Sequence, residues 1–396
     1  MSIKLNKSED ILHKQLVAAN AKNAADIFAK SGLPTRRIEQ YHYTDLHALL
    51  DDIPQVGEQA KAISAPALRI AGAYRILVVN GEVQATTVAP AGVVVGTAKG
   101  GILSERNDAI ISLNNALSKD ALTLNLKNDV DAIIHIDRRS EGGASHINSS
   151  VKISLADNSS ATIIETFSGS DAAHLSNNAT SVIIGKNAKA SHIIVDLSSK
   201  KTRHFQTVEY DTQAKALLHS LIVHSGSALA RTQLFATFNG EKAHADLSGL
   251  MLTDDTQHSD ITIDVLHGVP NTTSTETYKT VLRGQSKSIF QGKIIVAKDA
   301  QKTDAKMMSQ ALMLSDDAQF LTKPELEIFA DDVICGHGAT CGELDENHLF
   351  YLMSRGIAPE AAKSMLVRAF LEELFDPIKN EIIHEALETI ADSWLA

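Results

Sequence analysis

Two cysteines and a histidine lie close together near the C-terminal end of the 396-residue chain, as Cys335, His337 and Cys341. Thiolate and imidazole groups are ligands that iron, copper and zinc accept in proteins. If residues 333–337 form a β-strand, Cys335 and His337 point to the same face, about 6.5–7 Å apart along the backbone. The glycines on either side of His337 remove side-chain bulk and let another backbone approach. This spacing predicts a site for a soft or borderline metal.

The chain alone does not complete such a site, because a closed site needs four ligands. Cys341 is a candidate third ligand, and it reaches the other two only if the chain turns back at Gly342. Otherwise the remaining ligands come from a partner or from solvent. The alternative is a small hydrophobic cysteine beside a structural histidine, which is the commoner arrangement when no further context exists. The residues alone leave both interpretations open.

Composition and charge narrow the class of protein. Hydrophobic residues make up 44% and charged residues 21% of the chain, as in soluble globular proteins. The formal net charge of -11 argues against binding to nucleic acid or to an anionic membrane surface. The first residues lack the apolar run of a signal peptide, and no apolar segment approaches the ~20 residues that span a bilayer. We therefore expect a cytoplasmic protein whose two cysteines are free thiols or ligands.

The known nucleotide-binding and hydrolase motifs do not occur in this sequence. It contains no G-x-x-x-x-G-K-[ST] loop, no G-x-G-x-x-G turn, no G-x-S-x-G elbow and no H-E-x-x-H pair. We expect a chain that is not an enzyme and binds no nucleotide, so any ATP-driven step belongs to another protein. Most of the sixteen histidines are scattered, and we expect them to be solvated or hydrogen bonded.

The elements that must position the candidate ligands fall into three zones. Residues 1–66 are predicted to form a helical N-terminal domain, in which Gly32 ends the first helical stretch. The polar and aromatic segment 36–46 is predicted to be a surface connector. Residues 67–341 carry strand patterns, and residues 342–396 return to helical periodicity. The cysteines lie at the boundary between the second zone and the third.

The strand zone has a loose internal period. Polar corners centred on Asn158, Asn187, Gln213 and Gly240 each precede an apolar run, at steps of 29, 26 and 27 residues. About two strands per period favour a mostly β fold, a β-solenoid of stacked coils. An antiparallel meander or sandwich stays open as the alternative. The predicted strands include residues 151–155, 161–167, 180–184, 191–197, 216–223, 232–238 and 288–296.

The C-terminal zone contains helices with apolar stripes. Gly356 ends the first helix, and Pro359 begins the second, whose stripe includes Phe370 and Leu374. Pro377 separates the second helix from the last one. Such terminal helices either cap the core of their own chain or bind a partner, and periodicity favours capping.

Several segments around the cysteine–histidine motif resemble the SufB/SufD family of iron–sulfur cluster assembly proteins. The likeness is dense over about residues 257–371, and an N-terminal signature lies at 32–36 and 43–46. The C-x-H-G-A-T form at 335–340 resembles the SufD branch rather than the SufB branch, whose other cysteines are missing here. The segments that carry the resemblance are 299–305, 314–318, 323–328, 330–333, 336–340 and 349–357.

This resemblance implies a right-handed parallel β-helix core (67–341) between helical N-terminal (1–66) and C-terminal (342–396) domains. It implies a scaffold that pairs with a SufB-like protein through β-helix edges and carries a SufC-like ABC ATPase on its C-terminal helices. The cargo is iron, or a nascent iron–sulfur cluster shared with the SufB-like partner. A homodimer of this chain is a further option when that partner is absent.

The resemblance also assigns roles to single residues. His337 matches the family histidine that is implicated in cluster assembly, and Cys335 matches the neighbouring family cysteine. Cys341 stands where an aliphatic residue is usual and inherits no family role. We predict that His337, supported by Cys335, contributes to a metal or nascent-cluster site that the partner completes.

We further predict that the ATPase-docking end includes Tyr351, Arg355, Phe370 and Leu374. Two other functions stay open. One is a β-solenoid in which the two cysteines and the histidine hold a structural zinc ion. The other is a β-helix carbohydrate-active enzyme, which needs paired carboxylates and sugar-stacking aromatic residues along a groove. Aromatic residues make up only 5% of the chain, and Trp394 is the sole tryptophan.

Overall fold

The computed structural model describes residues 4–57, 60, 62–84 and 88–396, which form nineteen strands and seven α-helices. Most of the predicted strands lie inside longer ones of ten residues. The strands are β1 Tyr74–Val79, β2 Glu82–Val83, β3 Val93–Lys99, β4 Asp120–Leu126, β5 Ile134–Ser140, β6 His146–Leu155, β7 Ser160–Gly169, β8 Leu175–Ile184, β9 Lys189–Asp196, β10 Arg203–Thr212, β11 Leu217–His224, β12 Leu229–Phe238, β13 His244–Thr253, β14 His258–His267, β15 Thr273–Leu282, β16 Lys287–Val296, β17 Asp304–Met313, β18 Gln319–Ile328 and β19 Ile334–Gly342.

Successive strands alternate between two sheets. One sheet has the order β19-β17-β15-β13-β11-β9-β7-β5-β1-β2, and the other has the order β18-β16-β14-β12-β10-β8-β6-β4-β3. From β4 and β5 onward every pairing is parallel, without slippage, so each coil stacks directly on the one before. The parallel β-helix core is therefore confirmed, with about eight turns, and the meander or sandwich alternative is wrong.

The recurring corner of the coils has a clear local cause. At this corner one residue per coil adopts a positive φ, the left-handed conformation that asparagine tolerates better than most residues. The predicted corners at Asn158 and Asn187 are correct, with φ of 59° and 57°. The next two lie at Lys215 and Lys242, two residues beyond the predicted centres. Polar composition therefore located these turns, but not the residue that bends the chain.

The interior between the two sheets is built from alternate residues of each strand. Aliphatic side chains such as Ile136, Ile153, Ile194 and Val208 are at most 2% exposed and belong to one continuous cluster. Each buried side chain of this kind stabilises the fold by ~1.5–3 kcal/mol. Since adjacent coils share this cluster, no coil buries its inward face without its neighbours.

Polar groups inside the solenoid are mostly paired. Glu165 lies 2.9 Å from both the Arg138 guanidinium and the His192 imidazole. His224 has Ser259 Oγ and Thr232 Oγ1 each at 2.8 Å, one at each ring nitrogen. The prediction that the scattered histidines are hydrogen bonded is confirmed for His192 and His224.

The N-terminal helices pack on the outer face of the β18-to-β3 sheet. Helices α1 (Lys7–Ala18), α2 (Lys22–Ser31) and α4 (Ala109–Leu117) share a cluster with Leu175, Phe205 and Leu229 of three successive coils. The short helix α3 spans Leu46–Leu49. The prediction of one continuous first helix is wrong, because the chain turns at Asn20 with φ 58°. Helix α4 joins this layer from inside the range predicted for the β-helix.

The segment 36–46 is a surface connector only in part: residues 36–40 and His42 are exposed, as its polarity predicts, but other side chains of the segment are buried. Tyr41 is 1% exposed and Thr44 is fully buried. The Tyr41 hydroxyl donates to Asp108 at 2.7 Å, and the Thr44 hydroxyl donates to Asp260 of β14. Polar residues are buried here because the strands beneath supply hydrogen-bond partners, which the local sequence does not reveal.

The C-terminal helices α5 (Glu346–Ser354), α6 (Pro359–Phe375) and α7 (Glu381–Leu395) follow the last coil. Residues of α6 and α7 pack on the outer face of the other sheet, against Ile193, Leu221, Leu250 and Val281. The predicted boundaries are accurate here: Pro359 is the first residue of α6, and Gly356 has φ 86°. These two helices cap the chain's own core, as their periodicity favours.

Candidate functional site

The solenoid ends in two strands that each have a free edge in the described part of the chain. Strand β18 pairs with β16, strand β19 pairs with β17, and both are the last strands of their sheets. Their side chains are mostly exposed or half-buried. Two large apolar residues at this end, Phe329 and Ile334, are 62% and 66% exposed. An open sheet edge with exposed apolar groups is a surface on which another chain can add strands.

Both Cys335 and His337 lie on β19 and point into the open end. Their neighbours on β17 have buried, inward-facing side chains, and parallel strands in register present the same face at each level. The register pairs are Cys335 with Ala305, His337 with Met307 and Cys341 with Ala311. The structure thus brings Cys335 and His337 to one face, as the sequence predicts.

Cys335 and His337 differ in exposure. Cys335 is half-buried and packs against the interior cluster, while His337 is exposed at the rim. Burial raises the pKa of the Cys335 thiol, and the nearby carboxylates of Asp304 and Glu276 raise it further. The raised pKa favours the protonated form of this thiol. Together the two side chains can offer a soft sulfur and a borderline nitrogen to one metal.

Cys341 shares this inward face but lies far from the other two residues. Strand β19 continues through Gly342 without turning back, so Cys341 lies six positions beyond Cys335, about 20 Å along the strand. No group of three or more histidine, cysteine, aspartate or glutamate residues able to hold a metal ion occurs among the described residues. The described chain therefore places two candidate ligands, Cys335 and His337, together at the open end, and the structure does not bring Cys341 to them.

Sequence reasoning missed Glu276, which lies in the same inward column as His337. Cross-strand register places Leu247, Glu276, Met307 and His337 on four successive coils. Burial raises the pKa of Glu276 from 4.5 to about 8. The only sequence signal is its position 61 residues before His337, a distance of two coils, which has no meaning until the register is known.

The residues predicted for the ATPase-docking end differ in exposure. Tyr351 is 55% exposed, and the exposed Arg355 stacks on its ring at 5.1 Å. Leu374 is only 3% exposed and packs against the sheet. Phe370 is half-buried above Lys279, whose ammonium donates to the Phe370 carbonyl at 2.7 Å. Tyr351 and Arg355 are therefore the most accessible of these four residues, and Leu374 is the least accessible.

Fold and site together define a class of protein: a long β-solenoid with helical layers and an open end that carries a thiol and an imidazole. Residues 138–370 match the core domain of the SufBD proteins of the SUF system for iron–sulfur cluster assembly. The chain belongs to this family, since the match covers more than half of its length.

Individual relatives agree with this family. The iron–sulfur cluster assembly protein SufD of Escherichia coli K12 is 29% identical over 377 residues, which cover 89% of this chain and 87% of the relative. A SufBD family protein of Synechocystis is 33% identical over 210 residues, 52% of this chain and 45% of its own length. The chloroplastic protein ABCI7 of Arabidopsis thaliana is 28% identical over 226 residues, 56% of this chain and 48% of the relative. This chain is therefore a SufD homologue. None of its described helices has the length and apolar character needed to cross a bilayer.

Proposed function

We propose that this chain is the SufD-type scaffold subunit of a complex with a SufB-like protein and a SufC-like ABC ATPase. In that complex it supports assembly and transfer of iron–sulfur clusters, which are its cargo rather than a resident cofactor. The observation that carries the proposal is the position of Cys335 and His337 on the free-edged strand β19. A ligand pair at an open edge fits a site that a second protein completes.

The SufB-like partner is proposed to dock on β18 and β19. Their free backbone groups can extend both sheets across the junction, and exposed side chains such as Phe329 and Ile334 become buried there. His337, supported by Cys335, then faces the partner and holds iron or a nascent cluster with it. The same edges are available for a homodimer of this chain when the partner is missing. Cys341 lies on the same junction and is kept as an outer candidate ligand.

The ATPase is proposed to dock on the C-terminal helical domain, residues 342–396. Support comes from exposed apolar side chains on α5 and α6: Phe350 is 73%, Tyr351 is 55% and Met365 is 47% exposed. Arg355 extends this surface beside Tyr351. Phe370 and Leu374 act by fixing α6 on the sheet, so ATPase movements reach the β-helix core through a rigid contact.

The subunits of the proposed complex have different roles. ATP binding and hydrolysis belong to the ATPase, and this chain is proposed to act as a scaffold without its own catalysis. The boundaries proposed for its parts are 1–66, 67–341 and 342–396. A reducing compartment such as the cytoplasm fits the two cysteines, both of which are free thiols.

The test is co-purification of the tagged full-length chain from extract of its own cells, with the bound proteins identified by mass spectrometry. We expect an ABC-type ATPase and a SufB-like protein in stable amounts. A matched control carries Phe350→Asp and Met365→Asp, which should release the ATPase and retain the SufB-like protein. Recovery of the folded chain alone would contradict the proposal.

A further inference from the structure

The free edge of β19 lacks the residues with which natural edge strands resist pairing. The strand covers nine residues, Ile334–Gly342, and contains no lysine, arginine, aspartate, glutamate or proline. Natural proteins place such residues on exposed edges, because a bare row of N–H and C=O groups binds a strand of another chain. Ile334 is 66% exposed, and every other side chain of the strand is exposed or half-buried. We therefore expect another strand to cover this edge.

The hydrogen bonds between β17 and β19 show which residues offer their backbone to this edge. The Ile334 amide donates to the Thr303 carbonyl, so the backbone groups of Ile334 point toward β17. In a parallel pair, alternate residues bond to the same neighbour. The backbone groups of the odd-numbered residues, from Cys335 to Cys341, therefore point away from β17. An incoming strand bonds to these residues, which include both cysteines.

A second copy of β19 fits this edge in the antiparallel orientation, with Gly338 at the centre. A two-fold axis at Gly338 pairs all nine residues of the strand with those of the second copy. It also sets each larger side chain opposite a small one, since Ile334 faces Gly342 and His337 faces Ala339. Moving the axis by one residue toward the start of the strand shortens the overlap and sets His337 opposite its own copy. Size complementarity and overlap therefore both favour the register centred on Gly338.

This register brings two different cysteines together. Cys335 lies three residues before Gly338 and Cys341 lies three residues after it, so each cysteine faces the other cysteine of the second copy. Residues bonded across an antiparallel pair have Cα atoms about 5.5 Å apart, inside the range of roughly 4.4–6.8 Å that disulfide bonds span. Within one chain the two free thiols lie about 20 Å apart along β19 and cannot bond to each other.

We propose that Cys341 forms an intermolecular disulfide with Cys335 of a second copy when the chain meets hydrogen peroxide. Cys341 is exposed and reacts first: its sulfur attacks one peroxide oxygen, the O–O bond breaks, and a sulfenic acid and one water molecule form. The Cys335 sulfur of the second copy then attacks the sulfenic sulfur. The S–S bond forms, and the hydroxyl group leaves with the thiol proton as a second water molecule. Two thiols are oxidised, and one peroxide is reduced.

The disulfide regulates access to the Cys335–His337 site. This inference rests on the proposed function for the role of that site, and it assigns a register and a covalent bond to the homodimer. The bond consumes the Cys335 thiol, and the paired strand covers His337. A chain locked in this way does not offer β19 to a SufB-like protein. Thiol–disulfide exchange with a reductant reverses the lock.

The test treats the full-length chain alone with hydrogen peroxide and measures covalent dimer on non-reducing gels. The wild-type chain should form a dimer that dithiothreitol reverses, whereas Cys335→Ser and Cys341→Ser should each fail to form it alone. An equimolar mixture of the two variants should form it, because each copy supplies the cysteine that the other lacks. We expect at least about tenfold more dimer from the mixture than from either variant, since thiols held opposite each other react at a high effective concentration.

A matched pair of variants tests the strand pairing itself. Ala339→Lys places a charge on the free edge and should suppress the dimer, as lysine does on natural edge strands. Ala18→Lys makes the same change at an exposed position of α1 and should leave the dimer at the wild-type yield. Dimer from Cys335→Ser alone at the wild-type yield would overturn the register, and a wild-type chain that forms no covalent dimer would overturn the proposal. Neither result involves partner proteins, so co-purification remains a separate test of the proposed function.

Discussion

The buried ion pair beneath the N-terminal segment allows a quantitative prediction. Asp260 is fully buried and Arg231 is 1% exposed. Their side chains form an ion pair, and Arg231 also donates to the Gln40 carbonyl at 2.8 Å. The Thr44 hydroxyl donates to the same carboxylate. Asp260→Asn keeps the shape of the side chain but removes the carboxylate that directly contacts the buried Arg231 guanidinium. Breaking a buried pair in this way costs about 3–5 kcal/mol in the free energy of unfolding.

The assay is urea-induced unfolding followed by circular dichroism, with limited proteolysis of the segment 36–46. The matched control is Asp171→Asn, because Asp171 pairs with Lys201 and the two side chains are 72% and 60% exposed. A screened surface pair contributes little, so this control should lose little stability. We expect Asp260→Asn alone to expose the segment 36–46 to protease.

A second variant separates charge from packing. In Asp260→Leu/Arg231→Met both charges are removed, and apolar replacement of a whole buried pair is often neutral or stabilising. We expect this double variant to recover most of the stability that Asp260→Asn loses. A loss below about 1 kcal/mol for Asp260→Asn, equal to that of Asp171→Asn, would refute the reasoning that the pair anchors the N-terminal layer.

Three further predictions follow from burial and charge. Burial raises the pKa of Glu276 to about 8 in the folded chain, from 4.5 in the unfolded chain. Between these two values the folded state binds more protons than the unfolded state. The free energy of unfolding should therefore fall as pH rises from about 4.5 to 8, by at most about 5 kcal/mol. Thermal unfolding of the metal-free chain across this range should show that slope, and Glu276→Gln should remove it. Leu374→Ala should lower the free energy of unfolding by about 2–5 kcal/mol, because it leaves a cavity under α6. Met365→Ala should lower it by under about 0.5 kcal/mol and weaken ATPase binding instead. Equal effects of the two variants in denaturation and pull-down experiments would contradict this prediction. Iodoacetamide should alkylate the exposed Cys341 before Cys335, whose thiol has a pKa raised by burial, and peptide mass spectrometry at neutral pH measures the order.

Much of the fold could be predicted because the coils are locally encoded. Turn-forming residues such as Asn158 and Asn187 recur at one corner, and β-branched runs fill the space between corners. The C-terminal helices could be predicted from Pro359 and Gly356, which act through their own backbone preferences. The burial of Tyr41 could not be predicted, because its partner Asp108 lies 67 residues away.

The sequence predicts only part of the candidate site. Cys335 and His337 are two residues apart on one strand, so strand periodicity alone places them on one face. The same periodicity puts Cys341 on that face, and only the straight course of β19 shows that it lies too far away. Glu276 was missed because its place behind His337 depends on the register of three strands, which no local pattern encodes.

The central claim is that His337 contributes to a cluster site at the open end of the β-helix. The most direct measurement is cluster formation in the assembled complex with the SufB-like protein and the ATPase, comparing His337→Ala with wild type under anaerobic reconstitution. The control is His42→Ala, an exposed histidine that lies outside β18, β19 and the C-terminal helices. We predict that His337→Ala forms the intact complex by size-exclusion chromatography but accumulates no cluster, while His42→Ala behaves as wild type. Full cluster content in the His337→Ala complex would contradict the account.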